Sequence, residues 1–141
     1  MNKIVFCFAV FCCIQCGCAF LTPDKLGPHM NKVRTSVHNN CKVLTGATED
    51  QIDQLREGNF DQGDEVKNYA TCAWLQCRAI NNKFELDPSM LHYYMPENRD
   101  LYYEYFKCNE LIKDAKLEFK EKIWSFLKCL HKLDSENFVL F

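Results

Sequence analysis

Residues 117–133 read LEFKEKIWSFLKCLHKL, and their apolar side chains recur at helical spacing on more than one side of the chain. We expect this sixth and last helix to run from Asp114 to about Leu133. A helix that is apolar on most sides usually lies at the centre of a domain. The apolar residues on which this prediction depends are Leu117, Phe119, Ile123, Trp124, Phe126, Leu127 and Leu130.

The segments that precede this helix are also helical in pattern, without the alternation that marks a half-buried strand. Thr48 and Gln51 form a capping box at the start of one segment, and Asp87 precedes a proline at the start of another. The sequence therefore predicts an all-α fold of about six helices. The first five are predicted over Pro28–Cys41, Thr48–Gly58, Asp64–Ile80, Asp87–Pro96 and Asn98–Lys113.

Residues 1–19 have the features of a secretory signal peptide. Lys3 supplies the positive start, Ile4 to Ile14 form the apolar run, and Ala19 is a small residue at the predicted cleavage site. The apolar run is too short to span a bilayer. We therefore expect a secreted, extracellular protein whose single domain comprises residues 20–141.

Charge and motifs limit the class of function. The net charge is −2, and it becomes −3 when Lys3 is removed with the signal peptide. A weakly acidic chain is poorly suited to nucleic acid or to an anionic membrane surface. The sequence also lacks the spacings of zinc sites, nucleophile elbows and phosphate-binding loops. We expect no enzymatic activity, no cofactor, no metal and no nucleic-acid partner.

Five of the ten cysteines lie within residues 1–19, which leaves five in the predicted mature chain. An odd number in an exported chain suggests two disulfides and one free thiol. Each of the five lies on or beside a predicted helix, so each disulfide would pin one helix to another. Counting alone leaves the pairing open among Cys41, Cys72, Cys77, Cys108 and Cys129.

The order and spacing of several short patterns resemble the insect pheromone and general odorant-binding protein family. The similarity extends over essentially all of the predicted mature chain. It implies an all-helical domain around an internal apolar cavity, which carries a small hydrophobic molecule. The patterns are Leu21-Thr22-Pro23, Cys41, Leu44-Thr45-Gly46, Thr48 to Phe60, Tyr69-x-x-Cys72, Cys108 and Lys128-Cys129-Leu130.

The chain departs from this family at two cysteine positions. The family usually has one cysteine four residues before the position of Cys72 and another nine residues before the position of Cys129. In the family these two additional cysteines are bonded to each other. Here the positions hold Asn68 and Lys120. The pattern is similar to the four-cysteine "minus-C" subgroup. We expect Asn68 and Lys120 to face each other across the contact between the third and sixth helices.

This resemblance also implies a disulfide pairing. Cys41 would bond Cys72, Cys108 would bond Cys129, and Cys77 would remain a free thiol. A buried thiol that acts as a small hydrophobe is the simplest interpretation of Cys77.

The ligand-binding residues are predicted from the resemblance together with the apolar pattern. The alternative is that these side chains only fill the core, because composition cannot distinguish a filled core from a hollow one. Several tyrosines lie in the same region, and a phenol inside the cavity would orient a ligand by a hydrogen bond. The candidates are Trp74, Leu91, Tyr94, Tyr102, Phe106, Ile123, Trp124, Leu127, Phe138 and Leu140.

The predicted function is a secreted carrier that binds and solubilises odorant-type or pheromone-type ligands, as a monomer or weak homodimer, with a membrane chemoreceptor as a further partner. Two alternatives stay open, namely a secreted helical interaction protein and a general carrier of lipidic ligands in haemolymph or reproductive fluid. The apolar tail, residues 137–141, is expected to fold back into a groove or cavity. Lys120 is expected to pair with a carboxylate, to extend into solvent, or to bind an acidic ligand.

Overall fold

The computed structural model describes residues 27–95, 99–136 and 138–140. The predicted signal peptide, the run Leu21-Thr22-Pro23 and Phe141 lie outside the described residues. In the described ranges the chain forms six helices, and the one extended pairing is an isolated bridge between Ile80 and Leu86. The predicted all-α fold is therefore confirmed. The helices are α1 (Pro28–Thr45), α2 (Glu49–Arg56), α3 (Asp64–Gln76), α4 (Pro88–Tyr94), α5 (Arg99–Ile112) and α6 (Phe119–Leu133).

Two helices begin as the sequence predicts. The side chain of Thr48 accepts a hydrogen bond from the Gln51 amide at 3.2 Å, and the Gln51 side chain accepts one from the Thr48 amide at 2.9 Å. This reciprocal capping box satisfies two amides that the first turn of α2 leaves without a partner. Asp87 caps α4 by accepting from the amide of Ser89 at 2.9 Å, and Pro88 occupies the first helical position.

The prediction that α3 extends to Ile80 is wrong. The helix ends at Gln76 because the backbone turns into the left-handed region at Arg78, with φ of 55°. Ile80 is still buried, since its backbone pairs with Leu86 and the intervening loop folds back on the core.

The predicted start of α6 at Asp114 is also wrong. Residues 113–118 lie before the helix and include turns, in which the amide of Ala115 donates to the carbonyl of Ile112. Leu117 therefore lies outside the helix and is 46% exposed. At the other end of the chain, α1 extends four residues past Cys41 and ends at Gly46, whose φ of 74° terminates the helix.

Helix α6 contributes one buried face to the core, but the expectation that it is apolar on most sides and lies at the centre is wrong, since α3 is the central helix. Helix α6 packs against α3 and α5, and α3 in turn packs against α1 and α2, while α4 contacts α1 and α5. The buried side chains of α6 fall within an arc of about 160° around its axis, at about 100° per residue. They are Ile123, Trp124, Phe126, Leu127 and Leu130.

Two disulfides join helices that are distant in sequence. Cys41 bonds Cys72 and so joins α1 to α3. The second disulfide, between α5 and α6, is Cys108–Cys129. This is the pairing that the family resemblance implies. Cys77 is free and buried, and its burial raises the pKa of the thiol to about 12. The thiol therefore stays protonated at neutral pH, as expected for a small hydrophobe in the core.

Within the described ranges, no helix combines the length and the apolar character that a membrane span requires.

Candidate ligand-binding site

Aromatic side chains from three helices and a loop meet on one side of α6. The Trp74 ring of α3 lies 5.1 Å from Phe126 of α6 and 5.9 Å from Tyr105 of α5, between ring centroids. Phe84, from the loop before α4, lies 6.0 Å from Phe126 and 6.0 Å from Phe119. We call these five residues the Trp74 cluster. Edge-to-face contacts of this kind stabilise a core beyond the area that they bury.

A second group of rings lies beside α6 and includes the C-terminal tail. Phe60, in the loop between α2 and α3, lies 5.3 Å from Trp124, 5.7 Å from His131 and 6.2 Å from Phe138, between centroids. His131 and Phe138 lie 5.2 Å apart. We call these four residues the Phe60 cluster. It joins the α2–α3 loop and the tail to the same face of α6.

The geometry of α6 places the two clusters on opposite sides of an apolar stripe. Successive residues of an α-helix are about 100° apart around its axis. Trp124 and Phe126 are therefore separated by about 200° around one side of the helix and by about 160° around the other. Ile123, Leu127 and Leu130 fall in the narrower arc between them, and each is buried. This stripe is the part of α6 that faces the interior.

All ten predicted ligand-binding residues lie in the core or at its edge. Eight of them are buried, and Tyr102 and Phe106 are partly buried and pack against the core. The structure connects Trp124 to Phe138 through Phe60, whereas Trp74 belongs to the other cluster. Their contact with a ligand stays a prediction.

The tail is folded back as predicted. Phe138, Val139 and Leu140 are only 4–6% exposed. Phe138 contacts both Phe60 and His131. The tail therefore covers one side of the core instead of exposing its apolar residues to water.

Sequence reasoning missed several residues of the two clusters as candidates for the site. Phe84 lies in a loop without periodicity, where its left-handed backbone, φ of 64°, turns the side chain into the core. Asn109 of α5 holds that loop by donating a hydrogen bond to the Phe84 carbonyl at 2.9 Å. No signal in the local sequence points to Phe84. Phe126 and Tyr105 carried a helical signal, but only the fold places them beside Trp74.

Two of the predicted tyrosines use their hydroxyls to hold the backbone. The Tyr94 hydroxyl donates to the carbonyl of Cys77 at 3.0 Å. The Tyr102 hydroxyl donates to the carbonyl of Met95, just after α4, at 2.6 Å. These phenols thus fix the ends of α3 and α4, which position the wall of the core.

Charged residues cross between α3 and α6. Lys120 pairs with Asp64 at 3.1 Å, and Lys67 pairs with Glu121 at 3.0 Å. Lys120 therefore pairs with a carboxylate, which was one of its predicted roles. The pairs bring the neighbourhoods of Asn68 and Lys120 together, although direct contact between those two residues stays a prediction.

An open cleft of about 600 Å³ lies apart from the predicted site, between the end of α3 and the start of α4. Some of the residues between positions 75 and 88 line it, including Leu75, Arg78, Asn81 and Glu85. None of the ten predicted ligand-binding residues lines it. Among the described residues, no group of three or more His, Cys, Asp or Glu side chains is arranged to hold a metal ion.

Comparison with known proteins agrees with this architecture. A honeybee protein, Apis mellifera odorant binding protein 5, has a similar fold with a TM-score of 0.62 and 20% sequence identity. The match covers 79% of this chain and 93% of the honeybee chain. No curated protein sequence shows significant similarity to the chain. The sequence model of the PBP/GOBP family matches residues 24–133, which is most of the chain. The chain therefore belongs to the PBP/GOBP family of small-ligand binding proteins.

Proposed function

We propose that this chain is a secreted carrier that binds small hydrophobic molecules of the odorant or pheromone type in an extracellular fluid. The observation that carries the proposal is the apolar region around α6, closed by a buried tail, in a chain of the PBP/GOBP family. Such a region needs no catalytic group, because burial alone contributes about 25 cal/mol per Å² of apolar ligand surface. We therefore propose a binding protein and not an enzyme.

Secretion is supported by the disulfides and by the first residues of the chain. Structural disulfides persist in oxidising compartments and are rare in the cytosol. We propose that residues 1–19 are a signal peptide and that residues 20–141 form the mature domain.

We also propose the four-cysteine "minus-C" subtype. The supporting observations are the two disulfides and the buried free thiol of Cys77. At the positions where the six-cysteine pattern has its remaining pair, Asn68 is exposed and Lys120 forms an ion pair with α3.

The direct test is to identify what the protein carries. The mature chain would be purified without denaturation, and its bound molecules would be extracted and analysed by mass spectrometry. A fluorescent apolar probe should bind the stripped protein and be displaced by volatile esters, aldehydes or alcohols. Failure to bind the probe or any extractable molecule would contradict the proposal and favour a secreted interaction protein.

A matched pair of substitutions tests whether the core is hollow at the predicted site. Ile123→Phe places a larger side chain on the stripe of α6, whereas Ile52→Phe does so at an equally buried position on α2. Enlarging a side chain in a filled core typically costs about 1–3 kcal/mol. We expect that cost for Ile52→Phe only, with Ile123→Phe weakening probe binding instead. Equal destabilisation by both would show a filled core.

A further inference from the structure

The open cleft between the end of α3 and the start of α4 is lined largely by the loop that joins these helices. Its volume of about 600 Å³ is typical of sites for small molecules. Two backbone hydrogen bonds of 3.0 Å flank the bridge between Ile80 and Leu86, and both residues line the cleft. The backbone of the loop therefore holds the wall of the cleft in place.

Part of this lining is apolar and accessible. Leu75, in the last turn of α3, is 38% exposed. Leu86 is partly buried and Pro88 is exposed. A hydrocarbon chain that covered these side chains would remove apolar surface from water, which favours binding.

The charged groups of the lining differ in whether they already have partners. The carboxylate of Asp87 accepts hydrogen bonds from two backbone amides at the start of α4. The carboxylate of Glu85 accepts one from the side-chain amide of Asn81 at 2.7 Å. Arg78, in contrast, forms no hydrogen bond or ion pair with any residue that the structure describes. Its guanidinium is therefore available to a ligand with a negative charge.

Arg78 also occupies a backbone position that usually belongs to glycine. It follows the end of α3 with φ of 55°, and its amide donates to the carbonyl of Leu75 at 3.0 Å. A residue with a β-carbon destabilises the folded state in this left-handed region, which is why helices often end at glycine. The fold thus bears a cost at Arg78 without an ion pair in return. Strained residues of this kind are candidates for a role in binding.

We propose that this cleft is a second binding site, and that it takes an apolar molecule with a single carboxylate. The guanidinium of Arg78 binds the carboxylate, because its paired N–H donors match the two carboxylate oxygens. The hydrocarbon chain lies against Leu75 and Leu86. The carboxylates of Glu85 and Asp87 outnumber the one guanidinium, so a doubly charged anion such as phosphate is disfavoured. The site is separate from the apolar region around α6 and goes beyond the proposed carrier function.

The test measures binding at the cleft itself. Decanoate and 1-decanol, which share a chain length, would be titrated into the mature protein, and the methyl NMR signals of Leu75 and Leu86 would be followed. We expect both signals to shift, with an affinity about tenfold higher for decanoate, which is the effect of a charge-assisted hydrogen bond. Arg78→Gln should abolish this preference and leave the affinity for 1-decanol unchanged.

Lys83→Gln is the matched control. It removes the same charge from the same loop, but Lys83 is exposed and does not line the cleft. This variant should keep the wild-type affinity for decanoate. An equal loss in both variants would show a general effect of charge and would overturn the proposal.

Thermal unfolding without ligand separates a binding role of Arg78 from a structural one. Arg78→Gly should be at least as stable as the wild type, because glycine adopts φ of 55° without strain. The same variant should lose the preference for decanoate. A lower melting temperature for Arg78→Gly would show that the side chain stabilises the fold and would overturn the proposal.

The location of the shifts separates this inference from the proposed function. If decanoate shifts only core methyl signals, such as those of Ile123 and Leu127, the cleft site is wrong and the carrier function is supported. If decanoate shifts no methyl signal, the cleft site is again wrong, while the carrier function is decided by the apolar probe.

Discussion

Helix α3 packs between α1 and α6, and the two contacts are held in different ways. On the α1 side, the Cys41–Cys72 disulfide joins the helices covalently. His38 and Tyr69 add a hydrogen bond of 2.8 Å across the same contact.

On the α6 side, the polar links are noncovalent. Lys67 bonds Glu121, and its ammonium also lies 5.8 Å from the centroid of the Trp124 ring. Lys120 bonds Asp64. Ion pairs between partly exposed groups are screened by salt and contribute little individually. The α1–α3 contact is therefore the fixed part of the domain, and we expect α3 and α6 to separate more readily.

The largest expected effect comes from breaking the covalent contact. Replacing Cys41 and Cys72 together by alanine opens a loop of 31 residues and should lower the free energy of unfolding by about 3–4 kcal/mol. Urea denaturation at low protein concentration would measure the loss. The reference protein and the Cys41/Cys72 variant should both carry Cys77→Ala, so that neither has a free thiol that could mispair. A loss below about 1 kcal/mol would contradict the distinction between the two contacts.

Substituting either of two glycines should lower the free energy of unfolding by an intermediate amount. Gly46 ends α1, and Gly58 lies against His131 of α6. A β-carbon added at Gly46, which ends α1 with φ of 74°, would meet no atom within 4 Å. At Gly58, with φ of 83°, the same carbon would lie 2.2 Å from Nε2 of His131. Alanine at Gly46 should cost about 1–2 kcal/mol from the left-handed backbone alone. Alanine at Gly58 should cost more in thermal unfolding, because Phe60 and Phe138 hold the His131 ring.

A double substitution separates these two sources of strain. Measured against His131→Ala alone, adding Gly58→Ala should cost about as much as Gly46→Ala, because the clash with the ring is then absent. Equal costs for the two single glycine substitutions would show that the α2–α3 loop adjusts freely against α6.

The smallest effect is expected from the ion pairs of the α3–α6 contact. Replacing Lys67 and Glu121 by glutamine should lower the free energy of unfolding by about 0.2–1 kcal/mol at low salt. The difference from the wild type should vanish near 1 M NaCl, where the Debye length is about 3 Å. The Glu110–Lys113 pair lies at the end of α5 and offers the control, since its removal should not change the α3–α6 contact.

The sequence predicted the fold in more detail than the site. Helical spacing identified α6 as a helix of the core but wrongly placed it at the centre, and local capping signals located the starts of α2 and α4. Leu117 shows where spacing misleads, because it fits the periodic pattern of α6 but lies before the helix begins. Ile80 shows the converse, since it is buried by a bridge to Leu86 instead of by a helix.

The site was less predictable because its properties belong to the assembled core. Every apolar side chain has the same chemistry in a filled core as in a hollow one. Phe84 reaches the Trp74 cluster from a loop, and its place depends on a backbone conformation that no pattern in the sequence marks.

The buried thiol of Cys77 has a practical consequence for the secreted protein that we propose. A thiolate is the species that attacks disulfides, and a thiol with a pKa of about 12 supplies almost none of it. The odd cysteine is therefore protected from exchange with the two disulfides and from linking one molecule to another. A thiol reagent can reach Cys77 only when the core opens. The labelling rate of this natural cysteine would therefore measure how often the core opens, without an introduced label.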